Sequence, residues 1–322
     1  MPNVDIKKWG PLIVVLSFNY LLWGSAMSFG KLALEAFNPL FLVGARLIIA
    51  FLVFTPIVLL RFWPVRVAKK DIPVLILLVL CDPTGFFMFE ALGLQYTAAS
   101  QASMMCALAP LLNVVAAWII LRERVSLRTF IAFIIAVGGV SALTLSSEQS
   151  SHATNPLLGN FFIFLSLCCS AAFFIIIRSL GGRYPATMLV WIQCLGSSLI
   201  FTPIILLNPD CWPTSFEPGP TLSMIYLGIG VTFLAQFTCA YGLAHLTVTR
   251  MSTLSNLIPV IGLIFAIVML GETLTLFQWT VCAVILGAVL VSQLLQNREA
   301  KAIRLAQEEA KNSELLNAVN SD

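Results

Sequence analysis

Residues 91–127, ALGLQYTAASQASMMCALAPLLNVVAAWIILRERVSL, recur as residues 240–276, AYGLAHLTVTRMSTLSNLIPVIGLIFAIVMLGETLTL, at a constant offset of 149. Ten of the 37 paired positions are identical, among them Gly93/Gly242, Ser103/Ser252, Pro110/Pro259 and Glu123/Glu272. A fixed offset over that length marks a duplicated structural unit. Working outward, the chain divides into ten apolar stretches at 11–30, 40–61, 72–92, 98–120, 126–146, 157–178, 185–208, 220–243, 250–270 and 275–295. Each is about as long as a helix needs to cross the hydrocarbon layer, roughly 20 residues. The duplicated units, 11–146 and 157–295, then hold five spans apiece. An odd number forces the second copy to enter the membrane from the opposite face. Inverted repeats of this kind characterise secondary transporters, whose site lies near the bilayer midplane between the halves. The expected fold is therefore an all-α membrane protein of ten transmembrane helices in two inverted five-helix repeats.

Composition supports the division. Hydrophobic residues make up 59% of 322 positions and charged residues 10%, against roughly 25% charged in a soluble domain. With residues 1–10 placed in the cytoplasm, every Lys and Arg except Lys31 and Arg46 falls in an inside segment, whereas Glu35, Glu148, Asp210, Glu217 and Glu272 fall outside. The positive-inside rule thus expects both termini on the cytoplasmic side of the cytoplasmic membrane. The net charge of +3 follows from that topology and is no nucleic-acid signal. The first stretch is too long for a typical signal-peptide core and is expected to remain as helix one. Seven of the eight cysteines fall in predicted spans and only Cys211 in an outer loop, so no disulfide framework is indicated. The tail, 296–322, reads as a helical, solvated cytoplasmic extension. Membrane lipid surrounds such a chain, and a homodimer is an allowed assembly.

These features resemble the drug/metabolite transporter superfamily, in its ten-helix form made of two EamA modules. The resemblance rests on Trp23-Gly24 and Lys31 in helix one, Pro39 and Arg46 around helix two, the Ala-Leu-Gly-Leu stretch ending helix three, Pro110 in helix four and Glu123 after it. Helices eight and nine repeat the last three. The second module departs early, with Ser170-Ala171 or Ala172-Phe173 where a Trp-Gly would sit and Gln193 near the position of Arg46. The resemblance implies export or exchange of a small organic solute, an amino acid or related metabolite, with nucleotide sugars and drugs as alternatives within the superfamily.

No catalytic or metal constellation is legible, and no cofactor is expected: the two histidines fall on opposite predicted sides, and neither HExxH nor paired CxxC occurs. An intramembrane enzyme would need a nucleophile and base in reach, and a channel would show a ring of filter residues. The candidate substrate-binding groups are the polar and amphipathic residues at membrane depth: Asn19, Trp23, Arg46, Asp82, Glu90, Gln193, Gln236, Ser252, Ser255 and Asn256. Ser103, Cys106, Ala107 and Pro110 share one face of helix four, and Ser252, Ser255, Asn256 and Pro259 share one of helix nine. For the first face packing is favoured; for the second, packing and substrate contact stand level. Glu123 and Glu272 are expected to cap the helix that follows each of them. Arg46 and Glu90 are each costly to bury alone, so a salt bridge is the default. Snorkelling, or recognition of a substrate carboxylate or phosphate by Arg46, are the alternatives.

Asp82 stands about ten residues from either end of helix three, near the midplane, where an ionised acid is most costly. Its counterpart, Val231, shows that the shared scaffold does not need the acid. Pro83 weakens the local helical ladder, and Phe86 and Phe89 are expected to form an apolar wall beside Asp82. These features nominate Asp82 as a proton-coupling carboxylate. The topology has its own test: Ser150→Cys and Thr214→Cys should react with impermeant thiol reagents from outside, and Val67→Cys and Ser313→Cys only from inside. Reversal at any two sites defeats the ten-span reading.

Overall fold

A computed structural model describes residues 6–61, 67–122, 127–146, 153–180, 182–239, 257–292 and 294. Among them no strand occurs, and the helices are α1 (Ile6–Ala33), α2 (Pro39–Arg61), α3 (Lys69–Tyr96), α4 (Ala99–Leu121), α5 (Leu127–Leu145), α6 (Pro156–Ser179), α7 (Ala186–Leu207), α8 (Pro218–Cys239), α9 (Leu257–Leu270) and α10 (Leu276–Ser292). Six of these, α2, α3, α4, α6, α7 and α8, are long and apolar enough to cross a membrane by length and composition; α9, α10 and the Phe130–Leu145 part of α5 are shorter apolar helices. The predicted start of helix nine at 250, with Ser252, Ser255 and Asn256, lies outside the described residues, as does Glu123.

Local chemistry sets several boundaries. Asn38 opens α2, its Oδ1 accepting from the Leu40 N–H at 2.9 Å with Pro39 at the first helical position. Asn155 and Pro156 repeat the device at α6. Thr275 and Gln278 form a reciprocal capping box at α10, at 3.0 and 3.2 Å. Consequently the cap of α10 does not come from Glu272, as the sequence led us to expect. Because Thr275 already satisfies that helix, the Glu272 carboxylate is free to reach across the bundle, where it accepts from the Ala99 and Ser100 N–H groups of α4 at 2.8 and 2.9 Å.

Within the bundle, α1 packs on α9 and α8, α6 on α3 and α4, and α2 on α7 and α8. The two long central helices, α3 and α8, are both irregular. In α3 the backbone leaves helical geometry at Asp82 within Leu80–Gly85, in α8 the stretch Leu227–Ala235 is π-helical, and the 149-residue offset carries the first stretch into the second. Helix α4 likewise loosens, passing through a 3₁₀ turn at Cys106–Leu108 just before Pro110. At the end opposite Lys31, Asp71 is buried and receives hydrogen bonds from Arg183 Nη1 at 2.8 Å and Tyr184 Oη at 2.7 Å, tying the start of α3 to the α6–α7 connection.

Two close approaches need glycine. At the α3–α6 crossing a Cβ on Gly159 would stand 2.6 Å from the Thr97 nitrogen and 2.8 Å from the Gly93 carbonyl oxygen. At the α1–α9 crossing a Cβ on Gly24 would meet Ile261, while one on Gly262 would meet Ser103 and the Gly24 carbonyl. Ser103 is thereby accounted for as a packing residue. Gly159→Ala should lower thermal stability in detergent by about 1–3 kcal/mol, the usual range for overpacking. Gly138→Ala, with nothing within 4 Å of the added carbon, should be neutral or slightly stabilising, and equal behaviour of the two variants would refute the crossing as a tight contact.

Candidate functional site

The break in α3 organises the interior. Asp82 has an extended backbone (φ −143°, ψ 121°) inside the helix, so the ordinary hydrogen-bond ladder fails there. The freed Asp82 carbonyl accepts from Gln193 Nε2 of α7 at 2.6 Å, and Thr84 pairs with Ser197 of α7 at 2.8 Å. Gln193 thus braces the broken helix.

At the break and beyond it the interior holds three charged side chains, each almost wholly buried: Arg46 of α2, with Asp82 and Glu90 of α3. Arg46 Nη1 lies 3.6 Å from Glu90 Oε2, its Nε donates to Thr232 Oγ1 at 3.0 Å, and its guanidinium carbon sits 3.8 Å over the Phe87 ring. Arg46 Nη2, Asp82 Oδ1 and Glu90 Oε2 have no hydrogen-bond partner among the described residues. Asp82 lies within electrostatic range of both Arg46 and Glu90. One cation therefore serves two acids, and with all three ionised the cluster carries net negative charge. A void of about 10 Å³ adjoins it, lined by Gly30, Leu42, Arg46, Glu90 and Leu94 among others, about the space of one water. A larger apolar groove, about 300 Å³, lies between α2 and α7 among residues such as Leu52 and Leu199. Both are well exposed, and no charged group lines the groove.

The aromatic wall differs from the one expected. Phe87 lies under Arg46, and Trp23 of α1 packs edge-on against Phe86 (6.1 Å) and stacked on Phe87 (6.4 Å). Phe89 instead stacks with Phe162 of α6 at 6.3 Å. The reason is the break itself, since the i, i+4, i+7 rule presumes helical phase and Asp82 interrupts it. Asn19 is drawn into helix pairing, its Nδ2 donating to the Ala235 carbonyl and to Thr238 Oγ1 of α8. Gln236 is half-buried on α8. Sequence reasoning missed Thr232 and Phe87. Thr232 was within reach, because the offset pairs it with Pro83 beside Asp82.

A buried charge cluster beside a broken helix, within an apolar helical bundle, defines a membrane-embedded polar site of the kind found in transport proteins. The model of the EamA-like transporter family matches residues 8–145 and again 157–293, and the chain belongs to that family. It is an integral membrane protein of the drug/metabolite transporter superfamily. It is 25% identical over 296 residues to the uncharacterized transporter YcxC of Bacillus subtilis (strain 168), covering 90% of this chain and 94% of the relative. It is 21% identical to a protein of Streptantibioticus cattleyicolor named as a probable terminal-alkyne amino-acid exporter, covering 82% of this chain and 87% of that one. A chain of known crystal structure shares the fold with a TM-score of 0.64 at 19% identity, over 90% of this chain and 98% of its own.

The geometry predicts a coupled pair. Arg46→Ala and Glu90→Gln should each lower the yield of folded protein, and the double variant should recover part of the loss, since a buried charge without its partner costs more than neither. Additive losses in the cycle would assign the two residues separate roles.

Proposed function

We propose that the chain is a secondary transporter that moves a small organic solute by alternating access of two inverted five-helix halves, as exporter or exchanger, from a cytoplasmic membrane with both termini inside. Support for the inverted architecture comes from the sequence offset, the two family matches and the coincidence of the irregular stretches of α3 and α8 under that offset. The pairing of α1 with α9 and of α6 with α4 is what a pseudo-twofold relation between halves requires.

The observation that carries the functional reading is the cluster of two acids and one arginine at the break in α3. Glu90 answers Arg46, which leaves Asp82 Oδ1 without a partner among the described residues. A proton is the smallest species that restores neutrality, and we assign Asp82 as the proton-coupling residue on that ground. The open Arg46 Nη2 and the carboxylate oxygens of Glu90 and Asp82 suit a solute that carries both a carboxylate and an ammonium group. An amino acid or related metabolite has that chemistry, in keeping with the named function of the Streptantibioticus relative. Trp23, Phe86 and Phe87 would supply the apolar side of the site.

Asp82→Asn is the direct test, because the amide keeps size and hydrogen bonding but cannot ionise. In proteoliposomes the variant should retain solute exchange and lose accumulation driven by a pH gradient. Gradient-driven uptake at the wild-type rate would remove Asp82 from coupling. A thermal-shift screen against a metabolite library identifies the solute, since a ligand that binds only the folded state must raise its stability.

A further inference from the structure

Beyond the charge cluster toward the Lys31 end, the short turn joining α3 to α4, residues 94–100, is held by charged groups from elsewhere in the chain. Lys31 Nζ of α1 donates to the Leu94 and Thr97 carbonyls at 2.6 and 2.8 Å. Glu272, from the α9–α10 connection, accepts from the Ala99 and Ser100 N–H groups through both of its oxygens. The assignment of charges follows helix electrostatics. The carbonyls ending α3 form a negative pole and take the ammonium, whereas the amides opening α4 form a positive pole and take the carboxylate. Both helix ends are thereby satisfied by partners that do not belong to the turn.

The turn is also fastened from the side. Thr97 Oγ1 donates to Asn160 Oδ1 of α6 at 2.7 Å, and Asn160 Nδ2 donates to Thr144 of α5 at 2.8 Å and to Gln101 of α4 at 3.1 Å. Thr97, Ser100, Gln101, Asn160 and Glu272 are all buried. Helices α1, α4 and α5 belong to the first duplicated unit, whereas α6 and the α9–α10 connection belong to the second, so the ties cross between units. The void beside Arg46 and Glu90 is lined by Gly30 and Leu94, next to Lys31 in sequence and bonded to it respectively. The turn therefore stands beside the void that adjoins Arg46 and Glu90.

We propose that Lys31 and Glu272 form an electrostatic lock that closes the outer side of the carrier by gripping the backbone at both ends of the α3–α4 turn. The proposal rests on the carrier reading given above. Releasing either grip exposes charged or main-chain groups that water can then serve, so the open state is one in which the turn parts from α1 and from the α9–α10 connection.

The test uses the full-length protein with Cys106 kept and the other seven cysteines replaced. Cys106 is half-buried on α4, below the turn. Its reaction with an impermeant thiosulfonate is followed in right-side-out and inside-out vesicles. Glu272→Gln and Lys31→Met should each speed labelling from outside about tenfold, the population change that about 1.4 kcal/mol produces. Glu272→Asp, which keeps the charge, should restore much of the slow rate. Unchanged labelling in whichever variants fold would overturn the lock. Loss of folded protein in both Glu272→Gln and Lys31→Met would do the same, by showing a purely structural role. A gain from the cytoplasmic face overturns the lock if Thr214→Cys reacts outside; if Thr214→Cys also reacts from the cytoplasmic face, the lock stands and the topology falls. Faster outside labelling with no solute flux in the parent protein would uphold the lock and refute the carrier reading.

Discussion

A guanidinium buried in an apolar bundle is the constraint around which the interior is arranged. Arg46 cannot reach water from its place in α2, and an unpaired cation there would cost several kcal/mol. It is met on three sides by an acid, Glu90, a hydroxyl, Thr232, and an aromatic face, Phe87. Those partners stand on α3 and α8, so one side chain of α2 binds the two irregular central helices together. The packing of α2 on α7 and α8 then places Gln193 and Ser197 of α7 where the broken α3 finds hydrogen-bond partners.

The second acid is what the proposed proton coupling adds to this arrangement. A single ion pair would neutralise Arg46 and end the matter, whereas Asp82 leaves the cluster out of balance. Its position is inseparable from the break in α3. An unbroken helix would keep the Asp82 carbonyl in its own ladder and would not need α7 to receive it. Irregular backbone at membrane depth is tolerated where other protein groups serve it, and here α7 does so for α3. In α8 the corresponding stretch carries Val231 and Thr232, both buried, and the shared irregularity is put to different uses in the two helices.

Much of the architecture was legible because hydrophobic length and the 149-residue offset are long-range signals. The described helices fall largely within the predicted spans, and Arg46, Asp82 and Glu90, singled out by counting residues, are buried. What escaped the sequence was of two kinds. Helical phase does not carry across Asp82, where the backbone leaves the helix, and the stacking of Phe89 on Phe162 and of Phe87 against Arg46 was not legible. The partners of Glu272, Asn19 and Gln193 were not legible because all three serve groups far away in sequence, and all three bond main-chain atoms that leave no mark on residue identity. Glu272 illustrates the limit well. It stands beside a helix start, as capping residues do, but Thr275 and Gln278 had already taken that task.

The hold that Lys31 and Glu272 exert on the α3–α4 turn is exerted on carbonyl and amide groups alone. Any residue other than proline at positions 99 and 100 offers the same N–H, and every residue at 94 and 97 offers the same carbonyl. Evolutionary drift in the turn is therefore decoupled from the grip upon it: non-proline substitutions at Leu94, Ala99 or Ser100 leave the gripped groups in place, while the gripping positions must keep their charge. Among related chains, the diagnostic positions for the grip of Lys31 and Glu272 lie in α1 and in the α9–α10 connection, and in the turn itself only a proline at 99 or 100 would signal its loss.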